Sequence, residues 1–200
     1  MDQPVKVGAV VLAAGASTRF GQPKQLAIFN GESLVEHAVT AANSADCAPI
    51  VVVAGAQAAA IAAAVAALPC AVAVNHDWSA GLASSIRTGL QHLLTSDHDL
   101  EAILFLACDQ PLVSAENLRG LIAEQQVTGK PIVASAYANT LGIPALFTRA
   151  FFPELLTLAG DRGAKRLFLS HREEVAAFSL PAAATDIDTI SDYARLLANE

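Results

Sequence analysis

Short apolar runs alternate with stretches of helical periodicity along most of the chain. The apolar runs are predicted to be β-strands at 7–13, 50–54, 70–74, 102–107, 131–136 and 174–179. Helices are predicted at 33–43, 57–67, 83–94, 115–126 and, near the end of the chain, 190–198. Strands that alternate with helices are typical of a mostly parallel sheet covered by helices on both faces. The pattern therefore predicts an α/β protein with a three-layer α/β/α sandwich.

Residues 137–170 depart from this alternation, because glycine and proline interrupt the segment at Gly142, Pro144, Pro153 and Gly160. We interpret it as loops and helices around part of a substrate pocket. No internal repeat or shift in composition marks a second unit. A single domain over residues 1–200 is the resulting prediction.

Composition excludes several classes of protein. Hydrophobic residues make up 54% of the chain and charged residues 16%, which argues against disorder. The formal net charge is −7, and no basic stripe with interleaved aromatic residues is present, so a nucleic-acid partner is not expected. The apolar stretch 50–74 has the length of a membrane span, but Gly55 and Pro69 interrupt it and no Lys or Arg flanks it. It is predicted to be strand, helix and strand.

The cellular location is predicted to be the cytoplasm. Residues 7–16 imitate the apolar part of a signal peptide, yet the segment before them has no net positive charge. Cys47, Cys70 and Cys108 are odd in number and lack the spacing of a zinc site, so we expect reduced and mostly buried thiols.

A loop of small and cationic residues follows the first predicted strand. Gly15 and Gly21 allow the backbone to turn with positive φ and to approach a ligand closely. Ser17 offers hydroxyl and amide groups to anions, and Arg19 and Lys24 supply positive charge. The loop is predicted to bind a base and a polyphosphate; the alternative is a polar loop with two solvated cations.

Asp109 follows the apolar strand at 102–107, and Pro111 stiffens the loop after it. Ligands of parallel sheets bind at the carboxyl edge of the strands, where this side chain is expected. A carboxylate fixed there suits Mg²⁺, which takes one or two protein carboxylates together with phosphates and water. The alternative is an aspartate that caps its own turn.

Asp186 and Asp188 precede the last predicted helix, and alternation along an extended segment places both on one side. One of them is a candidate to share a metal ion with Asp109. Asp188 is equally suited to be the N-cap of the helix.

Two further segments contain groups that bind anions or sugars. Ser84 and Ser85 fall in the first turn of a predicted helix, where they suit either a nucleoside or ordinary N-capping. Arg162, Lys165 and Arg166 lie near another predicted helix start, which suits either phosphate or a solvated surface.

Standard catalytic and nucleotide fingerprints are missing from the sequence. It contains no Gly-x-Ser-x-Gly elbow and no Walker A loop, and Ser17 and Phe20 stand where a Gly-x-Gly-x-x-Gly fingerprint requires glycine. The five histidines show no metal-ligand spacing.

The motifs together resemble the nucleotidyltransferases of the molybdenum-cofactor type. Leu12-Ala13-Ala14-Gly15 through Arg19-x-Gly21-x-x-Lys24 is similar to the nucleotide-binding signature of that family. Five more segments follow in the order of the family: Asn75-x-x-Trp78-x-x-Gly81-x-x-x-Ser85, Cys108-Asp109-Gln110-Pro111, Gly142-x-Pro144-x-x-Phe147, Gly160-Asp161-x-Gly163-Ala164 and Asp186-Ile187-Asp188-Thr189. Ile143 departs from the pattern, since relatives often carry histidine there.

The resemblance implies a Rossmann-like sheet of the nucleotide-diphospho-sugar-transferase type. The Leu12-Ala13-Ala14-Gly15 motif of this chain resembles that of the cytidylyl-transferring branch of the family. The implied reaction transfers CMP from CTP to the terminal phosphate of the molybdopterin cofactor and releases pyrophosphate, with Mg²⁺ as cofactor. A client molybdoenzyme or its chaperone is the implied protein partner. The implied nucleotide-binding residues are Leu12, Ala13, Ala14, Gly15, Arg19, Lys24 and Ser85. Lys24, Arg19 and Asp109 have catalytic roles in this reading, and Asp109 with Asp188 holds the metal.

Three other functions remain open from the sequence. They are nucleotidyl transfer to another phosphorylated acceptor such as a sugar phosphate, an NAD(P)-dependent oxidoreductase, and a non-catalytic protein that delivers the cofactor. The missing dinucleotide fingerprint counts against the oxidoreductase.

Overall fold

The computed structural model describes residues 5–161 and 163–198. Its strands are β1 (Val7–Ala13), β2 (Ile28–Phe29), β3 (Glu32–Ser33), β4 (Ile50–Ala54), β5 (Ala71–Val74), β6 (Ala102–Ala107), β7 (Ile132–Tyr137), β8 (Thr140–Thr148) and β9 (Val175–Ser179). Its α-helices are α1 (Leu34–Ser44), α2 (Ala58–Ala64), α3 (Leu82–Ser96), α4 (Ala115–Thr128), α5 (Phe152–Leu156), α6 (Lys165–Ser170) and α7 (Ile190–Leu197). The predicted α/β class is confirmed.

Seven strands form one sheet in the order β5-β4-β1-β6-β8-β7-β9, and β2 and β3 form a separate hairpin. The neighbours β5-β4, β4-β1, β1-β6 and β7-β9 are parallel, whereas β8 runs antiparallel to β6 and to β7. The sheet is therefore mostly parallel, as predicted. Its strands β1 and β6, which carry the candidate loops at their carboxyl ends, lie side by side near the middle.

The interpretation of 137–170 as loops and helices was wrong for its first part, which is strand β8. Pro144 misled the prediction, because proline cannot donate to a sheet ladder and is confined to edges and bulges. Here the pairing with β7 passes from Ala145 directly to Gly142, so Ile143 and Pro144 form a bulge. The hydroxyl of Ser135 donates to the Pro144 carbonyl at 2.6 Å and holds the bulge in place.

The two faces of the sheet bury separate apolar clusters. All seven residues of β1 are buried, and they alternate between the faces. Val10 packs with α3, α5 and α6 on one face, whereas Val11 packs with α1, α2 and α4 on the other. The three-layer arrangement follows from this two-sided burial.

A third, smaller cluster lies beyond the carboxyl edge of the sheet. It joins Phe20 of the loop after β1, Leu34 at the start of α1, and Ile187 and Leu196 near the end of the chain. All four side chains are buried. This cluster fixes the terminal segment 185–189 against the loop that follows β1.

The cysteines are free thiols, as predicted, with Cys47 and Cys108 buried and Cys70 partly buried. Burial raises the pKa of Cys47 to about 12 and also raises the pKa of Cys108, so both stay protonated at neutral pH. Within residues 5–161 and 163–198, the helices all fall short of the length and apolar character needed to cross a membrane.

Candidate active site

A cleft of about 400 Å³ opens at the carboxyl edge of β1 and β6. Seven of the predicted site residues line it: Leu12, Ala13, Ala14, Gly15, Lys24, Ser85 and Asp109. Asp186, Gln110, Ile143 and Trp78 complete much of the wall. The cleft therefore combines the first loop, the start of α3 and the loop after β6, as the sheet topology predicts.

Lys24 joins the two predicted metal ligands. Its Nζ donates to Asp109 Oδ2 at 2.7 Å and to Asp188 Oδ1 at 2.8 Å. The two carboxylate oxygens bind one nitrogen, so they lie less than twice that distance apart. Asp109 and Asp188, which are 79 positions apart along the chain, thus contact the same ammonium group. The Asp109 carboxylate accepts from Lys24 rather than capping its own turn.

Arg19 contacts the same cluster from the solvent side. Its Nη2 lies 2.9 Å from Asp188 Oδ2, and its side chain is 71% exposed. The hydrogen bond from Lys24 holds the pKa of Asp188 below its usual value, with Arg19 acting in the same direction. Burial lowers the pKa of Lys24, but Asp109 and Asp188 outweigh burial and the net pKa is raised. Lys24 and Asp188 are therefore both charged at neutral pH.

The N-cap of α7 is Thr189, so the capping alternative for Asp188 was wrong. The Thr189 hydroxyl accepts from the Asp192 backbone N–H at 3.2 Å, and Asp192 Oδ2 accepts from the Thr189 backbone N–H at 2.8 Å. This capping box satisfies the helix start without Asp188. The Asp188 carboxylate is consequently available to Lys24 and Arg19.

Gln25 shapes the loop after β1, and sequence reasoning missed it. Its side chain is only 1% exposed. The amide Nε2 donates to the carbonyl oxygens of Ala13 at 3.1 Å and Gly15 at 2.7 Å, and Oε1 accepts from the Ser17 hydroxyl at 3.0 Å. Ser17 Oγ also accepts from the backbone N–H of Lys24 at 3.2 Å. The network ties the end of β1 to the segment that carries the lysine.

The backbone of this loop differs in one detail from the prediction. Gly21 has the expected positive φ of 78°, but Ser17 rather than Gly15 is the second residue in the left-handed region, with φ of 54°. Gly15 instead faces open space, because a Cβ built there meets nothing within 4 Å. The space beside the backbone at this position is therefore open.

The two serines at the start of α3 have different roles. Ser84 donates to the carbonyl oxygens of Asp77 and Gly81, at 3.0 and 2.8 Å, and is committed to the turn. Ser85 accepts from Asn75 Nδ2 at 3.0 Å and lines the cleft. Among the hydrogen bonds of the described residues, none uses the Ser85 hydroxyl hydrogen. Ser85 is therefore the serine able to donate to a ligand.

Gln110 anchors the far wall of the cleft. Its Nε2 donates to the carbonyl oxygens of Ala183 at 2.9 Å and Ile143 at 3.1 Å. Tyr137 donates its hydroxyl to the Ile143 carbonyl at 3.2 Å. One buried amide thereby connects the loop of Asp109 with the β8 bulge and with the segment before Asp186.

Lys165 and Arg166, two of the three cations after residue 160, are not among the residues that line the cleft. Lys165 and Arg166 are exposed on α6, which fits the solvated-surface alternative, and Arg162 lies outside the described residues. Asp161 and its neighbour Gly160 instead pack against the start of α3, where the Gly160 carbonyl accepts from the Ala83 N–H at 3.2 Å.

The missed residues share a signal that the sequence does contain. Gln25 follows Lys24 directly and Gln110 follows Asp109, so each buried amide adjoins a charged site residue. Buried polar side chains are almost always hydrogen-bonded, so such amides are candidates to organise a loop.

The carboxylates fit a hard divalent cation. Their oxygens already surround one positive charge, the Lys24 ammonium, and oxygen donors are what Mg²⁺ and Mn²⁺ prefer. Among the described residues, the structure contains no group of three or more acidic, histidine or cysteine side chains suited to a metal. A cation at Asp109 and Asp188 would take its remaining ligands from phosphate and water.

Comparison with known proteins identifies the family of this chain. Residues 9–175 match the family model of the MobA-like NTP transferase domain. The nicotine blue oxidoreductase of Paenarthrobacter nicotinovorans is 33% identical over 98% of both chains. The crystal structure of Rv0371c from Mycobacterium tuberculosis has a TM-score of 0.83 and 31% identity over 98% of this chain and all of that one, and its manganese complex has a TM-score of 0.81 at the same identity and coverage.

The matched region includes the loop after β1, the start of α3, Asp109 and the β8 bulge. The chain belongs to the family of MobA-like NTP transferase domains and is a nucleotidyltransferase.

Proposed function

We propose that the protein transfers CMP from CTP to the terminal phosphate of a molybdopterin-type cofactor and releases pyrophosphate. The observation that carries the proposal is the position of Lys24 between Asp109 and Asp188, at the end of a cleft walled by the Leu-Ala-Ala-Gly loop. Cations and metal-binding carboxylates beside a base-sized cleft are what nucleotidyl transfer requires.

The nucleotide occupies the cleft with its base against the backbone of residues 12–15. Ser85 donates its hydroxyl to the base or the ribose, and open space beside Gly15 admits the ligand. Lys24 and Arg19 bind the triphosphate, since charge-assisted hydrogen bonds to phosphate are strong. Ile143 and Asp186 lie on the same wall and form part of the acceptor site.

Transfer proceeds by direct attack of an acceptor phosphate oxygen on the α-phosphorus of CTP. One new P–O bond forms, and the bond between the α-phosphorus and the departing pyrophosphate oxygen breaks. Lys24 neutralises charge on the α-phosphoryl group and Arg19 neutralises charge on the pyrophosphate, which is electrostatic catalysis by positioned groups. The acceptor phosphate is already ionised at neutral pH, so no general base is needed.

Asp109 and Asp188 hold Mg²⁺ in this proposal. The bound ion supplies charge neutralisation and orientation of the phosphates. Support comes from the paired carboxylate oxygens and from the manganese bound in the related Rv0371c structure. The proposal includes a cytoplasmic location, where the free thiols stay reduced, and a client molybdoenzyme or its chaperone as recipient of the product.

A second candidate is oxidoreduction with a nicotinamide cofactor. The observation that favours it is the 33% identity with a protein named nicotine blue oxidoreductase, over nearly the full length of both chains. Against it stands the absence of the dinucleotide fingerprint from the loop after β1.

A substrate panel distinguishes these activities. The protein is incubated with Mg²⁺, each of CTP, GTP, ATP and UTP, and phosphorylated acceptors including molybdopterin, while pyrophosphate release is followed. Parallel reactions with NADH and NADPH follow nicotinamide absorbance. We expect pyrophosphate release with CTP and molybdopterin. Pyrophosphate release only with a different acceptor would contradict the proposal. Oxidation of NADH or NADPH without any pyrophosphate release would also contradict it.

Asp109→Asn tests the metal role within the same assay. Turnover is expected to fall by roughly a hundredfold or more, because a neutral amide binds Mg²⁺ poorly. Asp99→Asn is the matched control, since Asp99 is exposed and lies away from the cleft. Near-normal turnover of Asp109→Asn would remove the residue from the site, as unchanged kinetics of Lys24→Ala would remove Lys24.

A further inference from the structure

Lys24 occupies the place between the two carboxylates that the proposed function assigns to a metal. Its ammonium contacts Asp109 and Asp188, and its side chain is only 14% exposed. The segment behind it is fixed, because the Lys24 backbone N–H donates to Ser17 and the next residue is the buried Gln25. The fold therefore fixes the backbone position of Lys24, from which the ammonium reaches both carboxylates.

Charge at this point is balanced without any metal. Two carboxylates face two cations, since Arg19 binds the second oxygen of Asp188. A divalent ion that approached these oxygens would meet an ammonium bonded to both of them. Like charges a few ångströms apart in a half-buried site repel strongly, so ion and ammonium exclude each other.

A nucleoside triphosphate changes this balance. Its phosphates offer Lys24 and Arg19 new anionic partners in the adjoining cleft. When the two cations move to phosphate, Asp109 and Asp188 are left as an uncompensated pair of carboxylates. Such a pair is a favourable site for a divalent ion, which the phosphates also bind.

We propose that Lys24 is an internal counter-ion that keeps divalent cations off Asp109 and Asp188 until nucleotide phosphates draw the ammonium away. This inference rests on the metal site of the proposed function. It makes metal binding and nucleotide binding mutually favourable, because each removes the same obstacle, and such coupling is reciprocal. The nucleotide-free protein then binds divalent cations weakly.

The test is a titration of the nucleotide-free, full-length protein with Mn²⁺, followed by the electron paramagnetic resonance signal of the free ion. Lys24→Met removes the charge and keeps an unbranched side chain of similar length. We expect it to bind Mn²⁺ about tenfold more tightly than the wild type, or more. Lys165→Met, at an exposed lysine of α6, is expected to leave the affinity unchanged.

A double variant locates the ion. Lys24→Met combined with Asp109→Asn is expected to lose the gain in Mn²⁺ affinity. Equal affinities of the wild type and Lys24→Met would overturn the inference, as would a gain that survives in the double variant. Lys24→Gln provides a second neutral side chain if Lys24→Met folds poorly by circular dichroism. Failure of CTP turnover in the substrate panel would instead defeat the proposed function, and the Mn²⁺ titration gives its answer without turnover.

Discussion

The backbone N–H of Ile187 donates a hydrogen bond to the carbonyl oxygen of Asp109 at 2.9 Å. This bond joins the terminal segment to the loop after β6, and the Ile187 side chain is completely buried beside Phe20 and Leu34. Asp188 is the next residue, so its distance from Asp109 is set by this anchor. The two carboxylates meet because an apolar side chain between Asp186 and Asp188 is buried.

Ile187→Ala should therefore weaken both stability and the site. Loss of the buried side chain is expected to cost about 2–5 kcal/mol in the free energy of unfolding, measured by urea denaturation, and Ile187→Val about 0.5–1.5 kcal/mol. Turnover in the pyrophosphate assay should fall more for the alanine variant than for valine, since Asp188 loses its support. Ile190→Ala is the control: Ile190, the first residue of α7, is 52% exposed, and its change should stay within about 0.5 kcal/mol.

Gln25→Glu should impair nucleotide binding through the shape of the loop. A carboxylate cannot donate to the Ala13 and Gly15 carbonyl oxygens, so each loses its partner and faces negative charge. We expect the KM for CTP to rise more than kcat falls, because Gln25 positions the loop through its bonds to the Ala13 and Gly15 carbonyl oxygens.

A pH series and a control separate this effect from general destabilisation. At lower pH the introduced carboxyl group becomes protonated and donates one of the two lost bonds, so part of the CTP affinity should return. Gln22→Glu adds the same charge at an exposed position of the same loop and should leave the KM nearly unchanged. Equal effects of the two variants would refute the positioning role.

The sequence was a good guide to the elements and to the location of the site. Strands β1, β4 and β6 are continuous apolar runs, and the carboxyl ends of β1 and β6 lie together because the two strands pair in parallel. Local pattern and tertiary structure agree there, which is why Lys24 and Asp109 could be predicted at one sheet edge.

Local pattern failed where distant contacts decide the structure. Strand β8 contains Pro144, and only the bulge opposite β7 makes a strand possible. Asp188 matches an N-cap by sequence, yet Thr189 has the capping box and Asp188 is turned to Lys24. The role of Gln25 cannot be predicted from local sequence, because its amide organises the loop only after folding has placed three polar atoms around it.

Gly55→Ala should distort the wall of the cleft at Ala14 and Trp78. A Cβ built on Gly55 lies 2.5 Å from the Ala14 carbonyl oxygen and 2.8 Å from Trp78, and a backbone oxygen cannot yield as a flexible side chain does. The expected cost is about 1–3 kcal/mol in unfolding free energy, together with weaker CTP binding measured by calorimetry. Ala56→Ser also adds one heavy atom, at an exposed neighbour, and should bind CTP normally.

His171 should make the stability of the α5–α6 region depend on pH. Its Nε2 lies 3.0 Å from Glu154, its Nδ1 lies 3.3 Å from Glu174, and its ring packs edge-on against Phe151. The hydrogen bond to Glu154 is the main cause of a raised pKa, with Glu174 contributing and burial opposing. The imidazolium form is thus favoured in the folded protein relative to the unfolded chain.

The sign of the effect follows from that raised pKa. The stabilisation is complete below the unfolded pKa of about 6.5 and disappears as the pH rises through the higher folded value. Between about pH 5.5 and pH 8.5, the Tm of the wild type should therefore fall more than that of His171→Gln, measured by calorimetry. His98→Gln changes an exposed histidine and should keep the wild-type pH dependence. If His171→Gln and wild type lose the same Tm over this range, the ion pairs with Glu154 and Glu174 do not stabilise the fold.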